Sequence, residues 1–370
     1  MSAMPSKPSA PLLMIPGPTP VQPDVLAALA EPVRSHTGPE NAATLLRIQD
    51  MLRHVIGASD ARVHVFAGSG TLAMEAAIVN HAREGDTVAV LSHGFFGDRF
   101  IEIARAFGMQ PRTLQVPWGR HIGTDSCREL LTTGPAPAMV CITHVDTSTG
   151  VMSDCAELVR TARTVTPDAL IVVDGVCATG GVVEAFDEWG ADVLLTGAQK
   201  ALGVPPGLAL LALSQRAVER RTQVGAVRAY YADLERWSAS VADPRVYFST
   251  HAVSALRALE VSLERILAEG LEHRWARHRR VASLLRDGME ELGFTLLTDA
   301  TVLAPTLSVL QTPEGVDEAG FRAGLADRGV IVAPCMGPWA GRGVRIGHMG
   351  TVGEVEVART LEAAAATLGI

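Results

Sequence analysis

Three short stretches of this chain set a reactive or charged side chain where an apolar run ends. The first is ADVLLTGAQKALGVPPG, Ala191 to Gly207, in which Lys200 opens a loop rich in glycine and proline. An amine placed there is able to form a Schiff base with an aldehyde. The second is IVVDG, with Asp174 at the end of an apolar run. A carboxylate there must face a cleft or find a partner. The third is AGSGT, Ala67 to Thr71, between a strand-like and a helix-like pattern. Its glycines allow a tight turn. The amides of Ser69, Gly70 and Thr71, with two hydroxyls, would form an anion cradle at a helix start. Each stretch also has a plain reading by itself: a surface lysine, a loop cap, an ordinary turn.

The elements that would position them follow from periodicity. Short apolar runs, VHVFA, TVAVLSH, RTLQV, AMVCITH, ALIVVDG, DVLLTG and LALLAL, alternate with helical patterns such as NAATLLRIQDMLRHVIG, GTLAMEAAIVNHA and FGDRFIEIARAFG, and with one from Cys155 to Thr164. That is the signature of an α/β fold with a mostly parallel sheet between helices. Runs apolar on both faces fit the same class. Ligands of such sheets sit at the carboxyl ends of strands, where all three stretches fall. TQVGAVRAYYADLERWSASVADPRVYFST reads as irregular, and a long helical pattern follows from Thr250 to about Glu269. Beyond Trp275, helix alternates with FTLLT, TLSVL, GVIVA and GVRIGHM, which implies a smaller α+β domain. The expected division is an arm over 1–20, a large domain over 21–250, a linking helix over 251–272 and a small domain over 273–370.

With 370 residues, 48% apolar and 19% charged, the chain reads as a globular enzyme-sized protein. A net charge of −8 gives no basic footprint for nucleic acid. No apolar stretch is long enough for a membrane span, and none resembles a signal peptide. The five cysteines are odd in number and form no CxxC pair, so no disulfide framework or structural zinc site is expected. A reducing cytoplasm is the expected location.

Phosphate cradle, buried acid and amine together are what pyridoxal phosphate chemistry requires. In order along the chain, PGPTP, AGSGTLAMEAA, DTSTG, VVDGVCATGG, TGAQKAL and VRIG carry a resemblance that covers nearly its whole length. The chain resembles the fold-type I pyridoxal phosphate enzymes of aminotransferase class V, above all those acting on alanine or serine with glyoxylate or pyruvate. The resemblance implies a seven-stranded large domain, a smaller C-terminal domain and a homodimer with shared active sites. It implies that Lys200 is the Schiff-base and proton-moving lysine and that Asp174 holds the pyridine nitrogen protonated. Ser69, Gly70 and Thr71 would hold the phosphate, with Gln199 beside them. Phe96 would stack on the ring, where the family often has tryptophan, and Ser148 would lie near the cofactor hydroxyl. Tyr247 and Thr250 would reach the phosphate of the partner subunit, and Arg345 would clamp the substrate carboxylate. The substrates implied are a small amino acid and a 2-oxo acid, neither nucleic acid nor membrane.

Other readings of the same residues stand beside these. Phe96 reads equally as core, Thr250 as a helix cap, and Arg342 as a stand-in for Arg345. His36, in SHTG, is a candidate substrate contact. A more specialised amine substrate, of the pyridoxamine, ureidoglycine or aminophosphonate type, suits the same family. A cysteine desulfurase would use Cys335 as a mobile thiol. A dinucleotide-binding domain would use AGSGT, but GxGxxG and its acidic partner are missing. A purely structural or binding role would leave the three stretches without a joint purpose.

Overall fold

The structure is a computed structural model that describes residues 10–370, so the first nine residues of the expected arm lie outside it. Its strands are β1 (Leu12–Leu13), β2 (Arg62–Gly68), β3 (Thr87–Ser92), β4 (Gln110–Gln115), β5 (Met139–Thr143), β6 (Val145–Asp146), β7 (Val151–Met152), β8 (Leu170–Asp174), β9 (Val193–Gly197) and β10 (Gly207–Leu213). The small domain adds β11 (Thr295–Leu296), β12 (Leu307–Gln311), β13 (Val330–Ile331), β14 (Ala333–Pro334) and β15 (Gly343–Gly347). The helices are α1 (Pro23–Leu29), α2 (Pro39–Val55), α3 (Gly70–His81), α4 (Phe95–Ala106), α5 (Thr124–Thr132), α6 (Cys155–Val165), α7 (Phe186–Trp189), α8 (Gln215–Val224), α9 (Leu234–Ala242), α10 (Val253–Glu269), α11 (Leu271–Glu291), α12 (Glu318–Asp327) and α13 (Glu354–Leu368).

Seven strands form the large sheet in the order β2-β10-β9-β8-β5-β3-β4. All run parallel except β10, which is antiparallel to both β2 and β9. The central strands β5, β8 and β9 are buried along their whole length because helices cover both faces. Alternation along β8 divides its side chains. Ile171 and Val173 join a core with α2, α5, α6 and α10, while Leu170 and Val172 join one with α3, α4 and α9. The small domain is an antiparallel sheet, β11-β12-β15-β14, backed by α11, α12 and α13.

Several elements depart from the sequence reading. The stretch expected to be irregular contains α9. The Asp233 side chain accepts from the Glu235 amide at its start, and Trp237 lies 1% exposed in its middle. The helix after it begins at Val253, capped by Ala252 and not by Thr250, and breaks at Gly270 into α10 and α11. Gly270 has φ +81°, which suits glycine there. GVIVA splits into β13, which pairs with the amino-terminal strand β1, and β14, which pairs with β15. No helix among the described residues is long and apolar enough to cross a membrane.

Trp237 joins the large-domain core to the loop before α10. It packs edge-on against Phe66 and Phe248, each at 5.1 Å, and its indole donates to Tyr231 O at 2.6 Å. Trp237→Ala should therefore lower the unfolding free energy by about 3–5 kcal/mol, read from the denaturant midpoint.

Candidate functional site

Asp174 ends β8 in the middle of the large sheet and is only 3% exposed. One carboxylate oxygen accepts from the Val176 amide at 2.9 Å. Burial pushes the carboxyl up to about 7. Asp146 and Glu184 nearby act in the same direction, while the Val176 amide and the charge of Lys200 oppose it. A buried carboxylate with two like-charged neighbours and no cation in contact among the described residues would gain one from a protonated ring nitrogen.

Lys200 lies in the turn after β9, half-buried. Its Nζ donates to the carbonyl of Pro16 in the amino-terminal arm. The arm is held in turn by Thr19, whose amide donates to Gln199 O at 3.1 Å and whose hydroxyl donates to Lys200 O at 2.8 Å. Gly17 is a requirement of this packing that the sequence reading missed. A Cβ there would stand 2.5 Å from Lys200 Cδ and 2.7 Å from Nζ, and its φ of +105° disfavours any side chain. The signal was present in PGPTP, a glycine between two prolines.

The AGSGT turn packs against the segment that follows Asp174: a Cβ on Gly70 would lie 2.8 Å from Val176 Cγ2. Ser69 is the residue before α3, and no side chain caps that helix, which leaves its first amides open to an anion. Thr71 Oγ1 accepts from Arg99 Nη1 at 2.9 Å. Arg99, another residue missed from sequence, thus sets a positive charge beside the cradle. It sits one helical turn beyond Phe96, with its guanidinium carbon 4.9 Å from the Phe96 ring centroid and 5.1 Å from that of Phe95. Gln199 Oε1 is buried without a donor, a polar atom that a bound group would satisfy. These features fit a phosphorylated pyridine.

Asp146 fixes the start of α4. One oxygen accepts from the amides of Phe96 at 2.8 Å and Gly97 at 3.3 Å; the other takes the Ser148 hydroxyl at 2.6 Å. Ser148 Oγ accepts in turn from the Phe95 amide at 2.9 Å. Phe96 is half-buried in the first turn of that helix, so Asp146 and Ser148 set its position.

Arg345 lies on β15 of the small domain and reaches across the domain boundary. Its Nη1 donates to Thr147 O at 3.0 Å and its Nε to Pro334 O at 2.8 Å. Burial pushes its guanidinium below the usual range. Arg342 is exposed and turned to Gln311 at 3.2 Å, so it does not replace Arg345 there. Cys335 is 4% exposed, and burial pushes its thiol up to about 12, the opposite of a mobile nucleophile. Tyr247 and Thr250 lie on the exposed loop between α9 and α10 and make no hydrogen bond among the described residues. Tyr247 is 63% exposed, and its ring meets half-buried His36 edge-on at 5.4 Å.

Comparison with known proteins gives the family. The sequence profile of the family described as aminotransferase class-V matches residues 16–337. An uncharacterized aminotransferase of Methanocaldococcus jannaschii is 34% identical over 95% of this chain and 90% of its own length. The L-aspartate–glyoxylate aminotransferase of Paracoccus denitrificans is 33% identical over 92% of this chain and 86% of its own. The crystal structure of an alanine–glyoxylate aminotransferase from Nostoc sp. superposes with a TM-score of 0.94 at 30% identity, covering 100% of this chain and 98% of that one. The chain belongs to the class V aminotransferases, pyridoxal phosphate enzymes of fold type I.

Two outcomes follow from the packing. Gly17→Ala should displace the Lys200 side chain, and borohydride should then fix far less cofactor onto that residue, read by peptide mapping. In cofactor-free protein, Asp174 keeps its proton up to about pH 7, whereas the unfolded chain loses it near pH 4, so stability falls as pH rises between these values, by up to about 1.4 kcal/mol per unit. Asp174→Asn removes that loss. Its denaturant midpoint should exceed the wild type at about pH 8, with the gap narrowing toward about pH 5.

Proposed function

We propose that this protein transfers an amino group between alanine or serine and glyoxylate or pyruvate, with pyridoxal phosphate as cofactor. The observation that carries this reading is the gathering of Lys200, buried Asp174 and the open start of α3 at the carboxyl ends of strands in the large sheet. The amino acid and 2-oxo acid substrates are inferred from relatives whose names join an amino acid to glyoxylate.

When bound, pyridoxal phosphate withdraws electrons from the substrate α-carbon and carries the amino group from donor to acceptor. The protein residues would do the rest. Lys200 Nζ would hold the cofactor aldehyde and, once released, take the α-proton and return a proton to the neighbouring carbon. Asp174 would keep the ring nitrogen protonated, its ionised form favoured by that charge. Ser69, Gly70, Thr71 and Gln199 would hold the phosphate. Phe96 would pack on the ring, with Ser148 beside it toward the hydroxyl. Arg345 would orient the substrate carboxylate through a two-pronged contact. The exposed loop bearing Tyr247 and Thr250 supports a homodimer in which each chain completes the phosphate site of its partner.

Purified holoenzyme mixed with single amino acids should lose its visible absorption near ~400 nm with alanine or serine. Borohydride should fix the cofactor on Lys200. A label mapped to another residue in cofactor-saturated protein would defeat the assignment of the lysine. Failure of every amino acid to change the spectrum would defeat transamination itself.

A further inference from the structure

A cavity of about 620 Å³ opens between the two domains and shares no lining residue with the Lys200 site. Small-molecule pockets run to roughly 300–1,000 Å³, and this one lies within that range. Its two walls belong to different domains. Trp189 at the end of α7 stands on one, and Trp275 on α11 stands on the other. Met152, Val182 and Leu303 fill the space between with apolar surface.

Two polar groups here, the Arg279 guanidinium and the Trp275 indole nitrogen, have no hydrogen-bond partner among the described residues. Arg279 is exposed, one turn beyond Trp275 on the same face of α11, and makes no hydrogen bond or ion pair among the described residues. His144 is 4% exposed, with Nδ1 against Glu184 Oε1 at 3.3 Å and its ring edge-on to Trp189 at 5.4 Å. Trp275, which lines the cavity, has its indole Nε1 buried without a hydrogen-bond partner. A buried ring nitrogen left unpaired is costly, and an unpaired guanidinium beside aromatic walls suits an anion with a flat apolar body.

We propose that this cavity is an effector site for a small planar aromatic carboxylate, its ring against Trp189 and Trp275 and its carboxylate on Arg279. Both walls are tied to the backbone of the Lys200 site. The amide of His144 donates to Asp174 O at 3.0 Å. On α11, Arg274 donates to Ala201 O and to Gly180 O, each at 2.6 Å. An occupant bridging the walls therefore acts on the segments that set Asp174 and Lys200. This is independent of which amino acids the enzyme takes.

Indole-3-carboxylate titrated into holoenzyme by calorimetry is the test. Saturable one-to-one binding is expected, weakened about tenfold or more by Arg279→Gln, since the paired charge is lost. Ala156→Trp, which fills the cavity from α6, should abolish it. Both variants should retain the visible cofactor absorption, which shows that they fold. Uncharged indole and cyclohexanecarboxylate should each bind about tenfold more weakly or worse. The bound acid should change KM for the amino donor without competing with it. No saturable binding by about 5 mM, binding that survives both variants, displacement by the amino donor, or binding with unchanged kinetics would each overturn the proposal.

Discussion

A carboxylate at the end of a fully buried strand is an electrostatic problem that the polypeptide leaves open. Asp174 has one amide donor, two carboxylate neighbours and no guanidinium in contact. The sheet places it there because β8 pairs on both sides, with β5 and β9, and so ends its run deep between covered faces. Uncompensated burial of this kind costs stability in the empty protein. The same burial makes the position a strong partner for a cation that arrives with a ligand. The lysine side chain beyond the end of the neighbouring strand lowers the cost only in part, since Lys200 turns its Nζ to the Pro16 carbonyl.

That carbonyl shows how the second domain enters the site. The arm carries Pro16 and Gly17 past Lys200 only because β1 is pinned to β13, and Met14 is buried in the small-domain core. The amide of Gly347, on β15, donates to Met14 O at 2.8 Å. A side chain on Gly347 would strike Ile15 O at 2.1 Å, so the arm lies directly on the small-domain sheet. The same strand carries Arg345 across to Thr147. The lysine, the arm beside it and Arg345 are therefore one packing unit. A rigid arrangement of this kind costs nothing at the moment of reaction, because folding has already ordered it.

Much of this was legible in the sequence, and the reasons are local. Strands such as LIVVD and VLLTG open with consecutive apolar residues and no polar alternation, which a sheet covered on both faces explains. LALLAL has the same pattern read in either direction, so the reversal of β10 could not be seen. The helix α9 was missed because its polar residues hide one large buried ring, Trp237, behind an aspartate cap. Two-residue pairings such as β1 with β13 leave no period to detect. Among site residues, Lys200 and Asp174 stood out because charge follows an apolar run. Arg99 and Asp146 did not, because their roles are set by folding partners, the Thr71 hydroxyl and the amides of α4.

The same distinction explains why the chemistry is plainer than the substrate. Arg345 would contact a carboxylate that amino donors and 2-oxo acceptors have in common, so it carries no information about the side chain. Discrimination must come from groups near the entrance, and its size depends on their kind. An apolar wall separates ligands that differ by one methylene by only about 10–200-fold, whereas a site that hydrogen-bonds a hydroxyl rejects the analogue lacking it by about 10⁴-fold or more. His36 is the polar group the sequence offers for such a role, and its ring meets Tyr247 on the exposed loop. If that loop serves a neighbouring chain, the selectivity of one site and the pairing of two chains rest on a single aromatic contact. Choice between alanine and serine would then be a property of the assembled protein, absent from any motif within one chain.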